Sequence, residues 1–264
     1  MTKFQKIIKL IAIGLAITIT INIVSLVIYL LSIFINVNND EKTTFNEVYN
    51  DVERIEIDGV SSSITIKTGN QFKVEAINIE RGFTSKLKNK TLKIEENSSW
   101  LGINNGNGSI IITIPAGNIL KELSIDTGAG KFIIDSIEAK EFDIDHGAGT
   151  LEITNSKFDK ADIDGGAGAI AITNTNLNNL DLDSGIGTVE IEAFITGLSQ
   201  ISCGIGGIAV TLLGDESDYT IKTAKGIGSI KINNIEQSND LVFGNGSNKL
   251  EIEGGIGNIN INFK

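Results

Sequence analysis

Residues 125–172 read IDTGAGKFIIDSIEAKEFDIDHGAGTLEITNSKFDKADIDGGAGAIAI, and within them a Gly-Ala-Gly triplet returns at Gly128, Gly147 and Gly166. The interval is 19 residues each time, and it continues as Gly-Ile-Gly at Gly185 and Gly204. Two looser copies stand at Gly226 and Gly255, after 22 and 29 residues. A fixed period near 20 residues marks a solenoid, in which one coil cannot bury its own apolar face and must stack on its neighbours.

Alignment on the first glycine shows the columns of the coil. One apolar column runs Ile125, Ile144, Ile163, Leu182, Ile201, and two more follow the motif, beginning at Phe132 and Ile134 and recurring through Ile259 and Ile261. Apolar residues at every second position describe strands with one buried face. The alternation slips once near the second glycine, where a positive φ permits a corner. On this reading the residue between the glycines (Ala129, Ala148, Ala167, Ile186, Ile205, Ile227, Ile256) also faces inward. Ala139, Phe158 and Leu177, with Phe142, Ala161 and Leu180, close the circuit, large and small residues trading places between coils. The fold expected is all-β: a parallel, single-handed β-solenoid of about 19 residues per coil. Phe45 to Ile114 is less regular but strand-rich (IEIDG, SSSITIKTG, FKVEAINIE, TLKIEE, SIIITIP) and reads as an N-terminal cap that ends at the sole proline, Pro115.

Leu10 to Val37 is almost continuously apolar and uncharged, long enough for a transmembrane helix, and it lacks the small-residue cleavage site of a signal peptide. Lys3, Lys6 and Lys9 precede it, so residues 1–9 are expected in the cytoplasm, 10–37 in the membrane, 38–44 as a linker and 45–264 outside the cell as a single domain. With those three lysines set aside, 19 basic residues face 33 acidic ones, a surface that repels nucleic acid. One cysteine excludes an internal disulfide.

The order of these features resembles a bacterial family, the Toastrack domain, an adhesin-like domain of unknown function. The resemblance rests on IEIDGVSSSITIKTG (55–69), IIITIPAGNILKELSIDTGAGKFII (110–134) and the successive GAGTLEIT-type coils, and covers about residues 45–264. It implies a β-helical stack and an extracytoplasmic role in envelope stress or surface interaction. It brings no catalytic residues.

Two acidic columns flank the first strand of each coil: Asp126, Asp145, Asp164 and Asp183 in one, Asp143, Asp162 and Asp181 in the other. Stacking places neighbours about 5 Å apart, where two charges repel by roughly 0.8 kcal/mol even in water. The ladder is either a solvated acidic face or a collector of Ca²⁺, whose oxygen preference carboxylates meet. The spacing also imitates a retaining glycosidase pair, but catalysis needs two carboxylates in different surroundings and a column repeats one. His146 and Cys203 share a column three coils apart, too far for a common metal or a catalytic pair, and read as corner residues. GAGK at 128–131 lacks the spacing of a phosphate loop.

Contact surfaces are expected where the repeat is broken. Trp100 lies in a Gly/Asn-rich loop that either folds back as a lid on the first coils or stays exposed as a contact, and the last strand, ININF with Phe263, is an open edge for pairing with another protein or a second copy. The bare glycine stripe either admits a partner backbone or only permits the corner. The function expected is a non-enzymatic interaction or sensing scaffold in the bacterial envelope, touching an envelope protein or wall polymer. The alternatives are a metal-dependent adhesin and a polysaccharide-active enzyme.

Overall fold

The polar turn that closes each coil sets its length. Ser136, Asn155 and Asn174 occupy the left-handed region at φ 62°, 52° and 50°, which Asn tolerates better than most side chains. Their side chains build a ladder along the stack: Asn174 Nδ2 donates to Asn155 Oδ1 at 2.8 Å and Asn155 Nδ2 to Asp135 Oδ1 at 2.9 Å. Just inside it, the buried Ser156 hydroxyl accepts the Ile137 amide of the coil below at 3.1 Å, and Thr175 Oγ1 accepts the Ser156 amide at 3.4 Å.

The computed structural model describes residues 43–60, 62–79, 82–96 and 108–264. The expected membrane segment 10–37, the residues before it, most of the linker and Trp100 lie outside the described residues. Among the described residues no helix is long and apolar enough to cross a membrane.

The strands in chain order are β1 Thr43–Tyr49, β2 Arg54–Val60, β3 Ser63–Gly69, β4 Phe72–Ile79, β5 Phe83–Lys88, β6 Thr91–Glu96 and β7 Ser109–Pro115. The exact repeats follow as β8 Ile119–Asp135, β9 Glu138–Thr154, β10 Lys157–Asn178, β11 Leu180–Thr196 and β12 Leu198–Leu212. Then come β13 Tyr219–Ile227, β14 Ile230–Ile232, β15 Ile235–Gln237, β16 Leu241–Gly244, β17 Asn248–Ile256 and β18 Ile259–Phe263. β8 through β12 pair in parallel, each with the next, in the register of the sequence repeat: Ile125 on Ile144, Ile144 on Ile163, Ile163 on Leu182 and Leu182 on Ile201.

The inward columns fill the core. Ile125, Ile144, Ile163, Leu182 and Ile201 are buried, as are Phe132, Leu151, Ile170, Val189 and Ile208. Each fully buried Ile or Leu contributes about 1.5–3 kcal/mol. The exchange of large and small residues is realised as expected: Phe158 lies on Ala139 and Phe142 on Ala161. The two rings stack at 4.4 Å between centroids.

Space and sequence diverge at both ends. After β12 the chain builds its terminal coil from β13 and β14 and turns back through antiparallel β15 and β16. It then inserts β17 and β18 into the gap: β17 pairs in parallel with β12 and β13, β18 with β12 and β14. The coil of β2 and β3 is likewise held between β8 on one side and β6 and β7 on the other, and antiparallel β4 and β5 cover the far edge. β1 adds a last antiparallel strand on β4. Glu53, at the entry to β2, ties three levels together. Its carboxylate meets Lys90 at 2.8 Å and Lys121 at 2.5 Å, and these two ammonium groups hold it down to about 2.

The expectation of an open C-terminal edge is therefore corrected. β18 has a parallel neighbour on each side, and antiparallel strands close both ends of the stack, a common protection against edge-to-edge pairing. Phe263 packs against Tyr219 at 5.8 Å and Phe243 at 6.2 Å between ring centroids.

Candidate functional site

The corner of the coil is where backbone meets backbone. A Cβ added at Gly147, Gly166, Gly185 or Gly204 would collide with the carbonyl oxygen of the glycine one coil below. The second glycines, such as Gly149 (φ 123°) and Gly168 (φ 144°), meet the same obstruction and lie in positive-φ space as well. Coil stacking thus accounts for both glycine columns.

The column between them does not face inward. Ile186 is 56% exposed, Ile205 48%, Ile256 50% and Ile227 69%. The buried residue at the corner is the one before the first glycine: Thr127, His146, Ser184 and Cys203 are all buried. The slip in the alternation falls between Thr127 and Phe132, and the intervening Gly-Ala-Gly lies on the convex outer side. A glycine carries no hydrophobic signal, so the sequence leaves the position of the slip open by one residue.

Strand register makes these isoleucines one ridge. Ile186 pairs with Ile205, Ile205 with Ile256 and Ile256 with Ile227, and the column continues through Ala167, Ala148 and Ala129. The corner is therefore built with alanine in three coils and isoleucine in four, so the fold does not require the larger side chain. On either side the surface falls away into a hollow, one of about 340 Å³ beside Gly206, Gly257 and Ala209 and one of about 370 Å³ beside Gly204, Gly255 and Lys225. A separate groove of about 610 Å³ lies beneath exposed Leu198 and Val242, with Lys160, Lys222 and Lys249 on its walls.

The acidic columns assemble as spaced. Asp126, Asp145, Asp164 and Asp183 are successive register partners, as are Asp143, Asp162 and Asp181. Burial, then the neighbouring carboxylates, push the Asp143, Asp164 and Asp181 carboxyls above the usual range. The aspartates stand in line, and among the described residues no group of three or more His, Cys, Asp or Glu is arranged to hold a metal ion. His146 points inward: Thr127 Oγ1 lies 3.2 Å from its Nδ1, Phe132 meets its ring edge-on at 5.0 Å, and Nε2 is buried with no hydrogen-bond partner among the described residues. Burial pulls its pKa below the ordinary histidine value, opposed by the charge of Asp145. Cys203 is buried three coils along the same column.

The family model for Toastrack DUF4097 matches residues 52–241. The chain belongs to the Toastrack family. No curated protein matches this Toastrack chain in sequence. Solved structures similar to it include a candidate cell adhesion protein from Clostridium sporogenes, 19% identical with a TM-score of 0.45, the match covering 85% of this chain and all of that one. A candidate adhesin from Bacteroides fragilis is 15% identical with a TM-score of 0.35, over 84% of this chain and 97% of its own. A candidate lipid binding protein from Parabacteroides distasonis is 15% identical with a TM-score of 0.33, over the same shares.

Of the residues singled out by sequence, the seven aspartates are brought together, Phe263 is partly buried among aromatic neighbours, and Trp100 lies outside the described residues. The isoleucine ridge is the feature sequence reasoning misplaced. Its signal was present in the change from Gly-Ala-Gly to Gly-Ile-Gly at Gly185, a change that core packing gives no reason for.

Proposed function

We propose that this Toastrack domain is a non-enzymatic contact scaffold, anchored by residues 10–37 at the outer face of a bacterial membrane, that docks a protein through its glycine corner. The exposed column Ile186, Ile205, Ile256, Ile227 carries this reading. Four adjacent coils hold a large β-branched side chain in water where alanine builds the same corner. A contiguous apolar patch on an otherwise acidic surface marks a place of association.

The test is photo-cross-linking in intact cells from a photoreactive residue at position 205 or 256, with position 162 on the acidic face as control. Protein adducts specific to the corner support the scaffold. Adduct patterns identical at the corner and at position 162 contradict it.

A second reading is favoured by the register that stacks Asp126, Asp145, Asp164 and Asp183 in one line and Asp143, Asp162 and Asp181 in another, where a bound cation would relieve the repulsion between neighbours. In it the ladder gathers Ca²⁺ and presents it to an anionic envelope polymer. Millimolar Ca²⁺ then raises the melting temperature beyond NaCl of equal ionic strength; equal shifts assign the effect to screening.

A further inference from the structure

We infer that the occupant of the isoleucine ridge is a second copy of the same chain, laid antiparallel along it. This deepens the scaffold reading and rests on it.

The charges beside the ridge point to this partner. On one flank the outward column runs Glu190, Ala209, Asn260, Lys231 from the Ile186 coil to the Ile227 coil. On the other flank the outward column runs Asp183, Ser202, Glu253, Ala224, and Lys225 adjoins Ala224 in the terminal coil with Ile227. The Ile186 end of the strip thus carries Glu190 and Asp183 and the Ile227 end Lys231 and Lys225, with Glu253 the one further charge in these columns. A two-fold axis across the ridge, midway between Ile205 and Ile256, reverses the direction of the stack and keeps each flank on its own side. Lys231 of each copy then faces Glu190 of the other, Asp183 faces Ala224 with Lys225 next to it, and Glu253 faces the uncharged Ser202. A parallel pair would set acid on acid at one end and base on base at the other. Such self-complementarity is what an isologous interface requires.

The size of the patch fits a weak contact. The four isoleucines expose on the order of 400 Å², about half of the roughly 800 Å² per partner in a standard stable interface. Association is accordingly concentration-dependent, and salt weakens it by screening the flanking charges. In the antiparallel pair the two β1 strands, where the chains enter the domain, lie at opposite ends.

The experiment uses full-length chain in mild detergent with Cys203→Ser as background. One preparation carries Ile186→Cys and a differently tagged one Ile227→Cys; each is oxidised alone and as a mixture. Disulfides between 186 and 227 at least fivefold above those of 186 with 186 or 227 with 227 support the antiparallel pair. Predominant like-with-like disulfides, or none, overturn it. Charge reversal supplies a second reading: Glu190→Lys and Lys231→Glu each lower the mixed disulfide severalfold, and a chain carrying both restores it. Failure of the double reversal to restore it also overturns the pairing. Corner adducts with another protein in cells, together with no 186–227 disulfide, would refute this inference and leave the scaffold reading standing. Absence of both would refute the two together.

Discussion

Ile205 lies directly on Ile256 in the β12–β17 ladder, and Ile227, which precedes Ile256 in the chain, sits one coil further out. The last stretch of chain is thus locked inside the stack. Removal of β17 and β18 should not shorten the solenoid by one coil; it should open a gap between β12 and β13. Chains truncated after residue 247 are expected to lose cooperative unfolding of the C-terminal coils, read by hydrogen exchange of β13 amides. Unchanged protection of β13 would contradict the insertion.

Stacking at the corner predicts an unequal response of glycines. Gly187→Ala places a Cβ against the Gly168 carbonyl at a positive φ, and should destabilise by about 3 kcal/mol or more. Gly117 also has positive φ (76°) but, among the described residues, nothing within 4 Å of an added Cβ. Gly117→Ala should cost only about 1 kcal/mol. Denaturant unfolding measures both, and equal losses would argue against backbone contact as the cause.

The acidic ladder should be a source of repulsion. Asp164 stands between Asp145 and Asp183, so Asp164→Asn is expected to stabilise the domain by roughly 0.5–1 kcal/mol at low salt and by less at 0.5 M NaCl. A destabilised variant would assign the carboxylate a structural partner.

Acid should act through two opposed groups. His146 has a depressed folded-state pKa. Its contribution is therefore complete above the unfolded value near 6.5 and is lost as pH falls through the folded one. Asp143, Asp164 and Asp181 have raised values. Their contribution is present below the unfolded value near 3.9 and is lost as pH rises through the folded one. Melting temperature should thus fall when pH is lowered from 7.5 towards 5.5, and His146→Thr, which copies Thr127 in the same column, should flatten that fall. An identical pH profile in wild type and variant would remove His146 from the account.

The period was legible because each 19-residue coil repeats the same physical problem: bury Ile125 and its equivalents, turn at Gly128, bury Phe132 and turn at Ser136. Most strands of the irregular N-terminal region were legible too, since β6 and β7 alternate throughout and β2, β3 and β4 alternate in their first halves. β5, FTSKLK, was missed because it carries only two large apolar residues and buries neither of them fully. The order of the end coils was not legible. Gly226 and Gly255 satisfy the motif equally well, and parallel register with β12 is open to either until the antiparallel β15 and β16 direct the chain back. The direction of the Ile205 column was lost for a local reason, because parity cannot be carried through a Gly-x-Gly corner that turns three successive residues outward.

The most direct test of the ridge compares two isoleucines four residues apart in one strand. Equilibrium unfolding of Ile205→Thr should stay within about 0.5 kcal/mol of wild type, as expected for a solvent-facing position. Ile201→Thr, in the core, should lose about 2–4 kcal/mol. Comparable losses at both positions would place Ile205 in the core and contradict the exposed ridge on which the proposed contact depends.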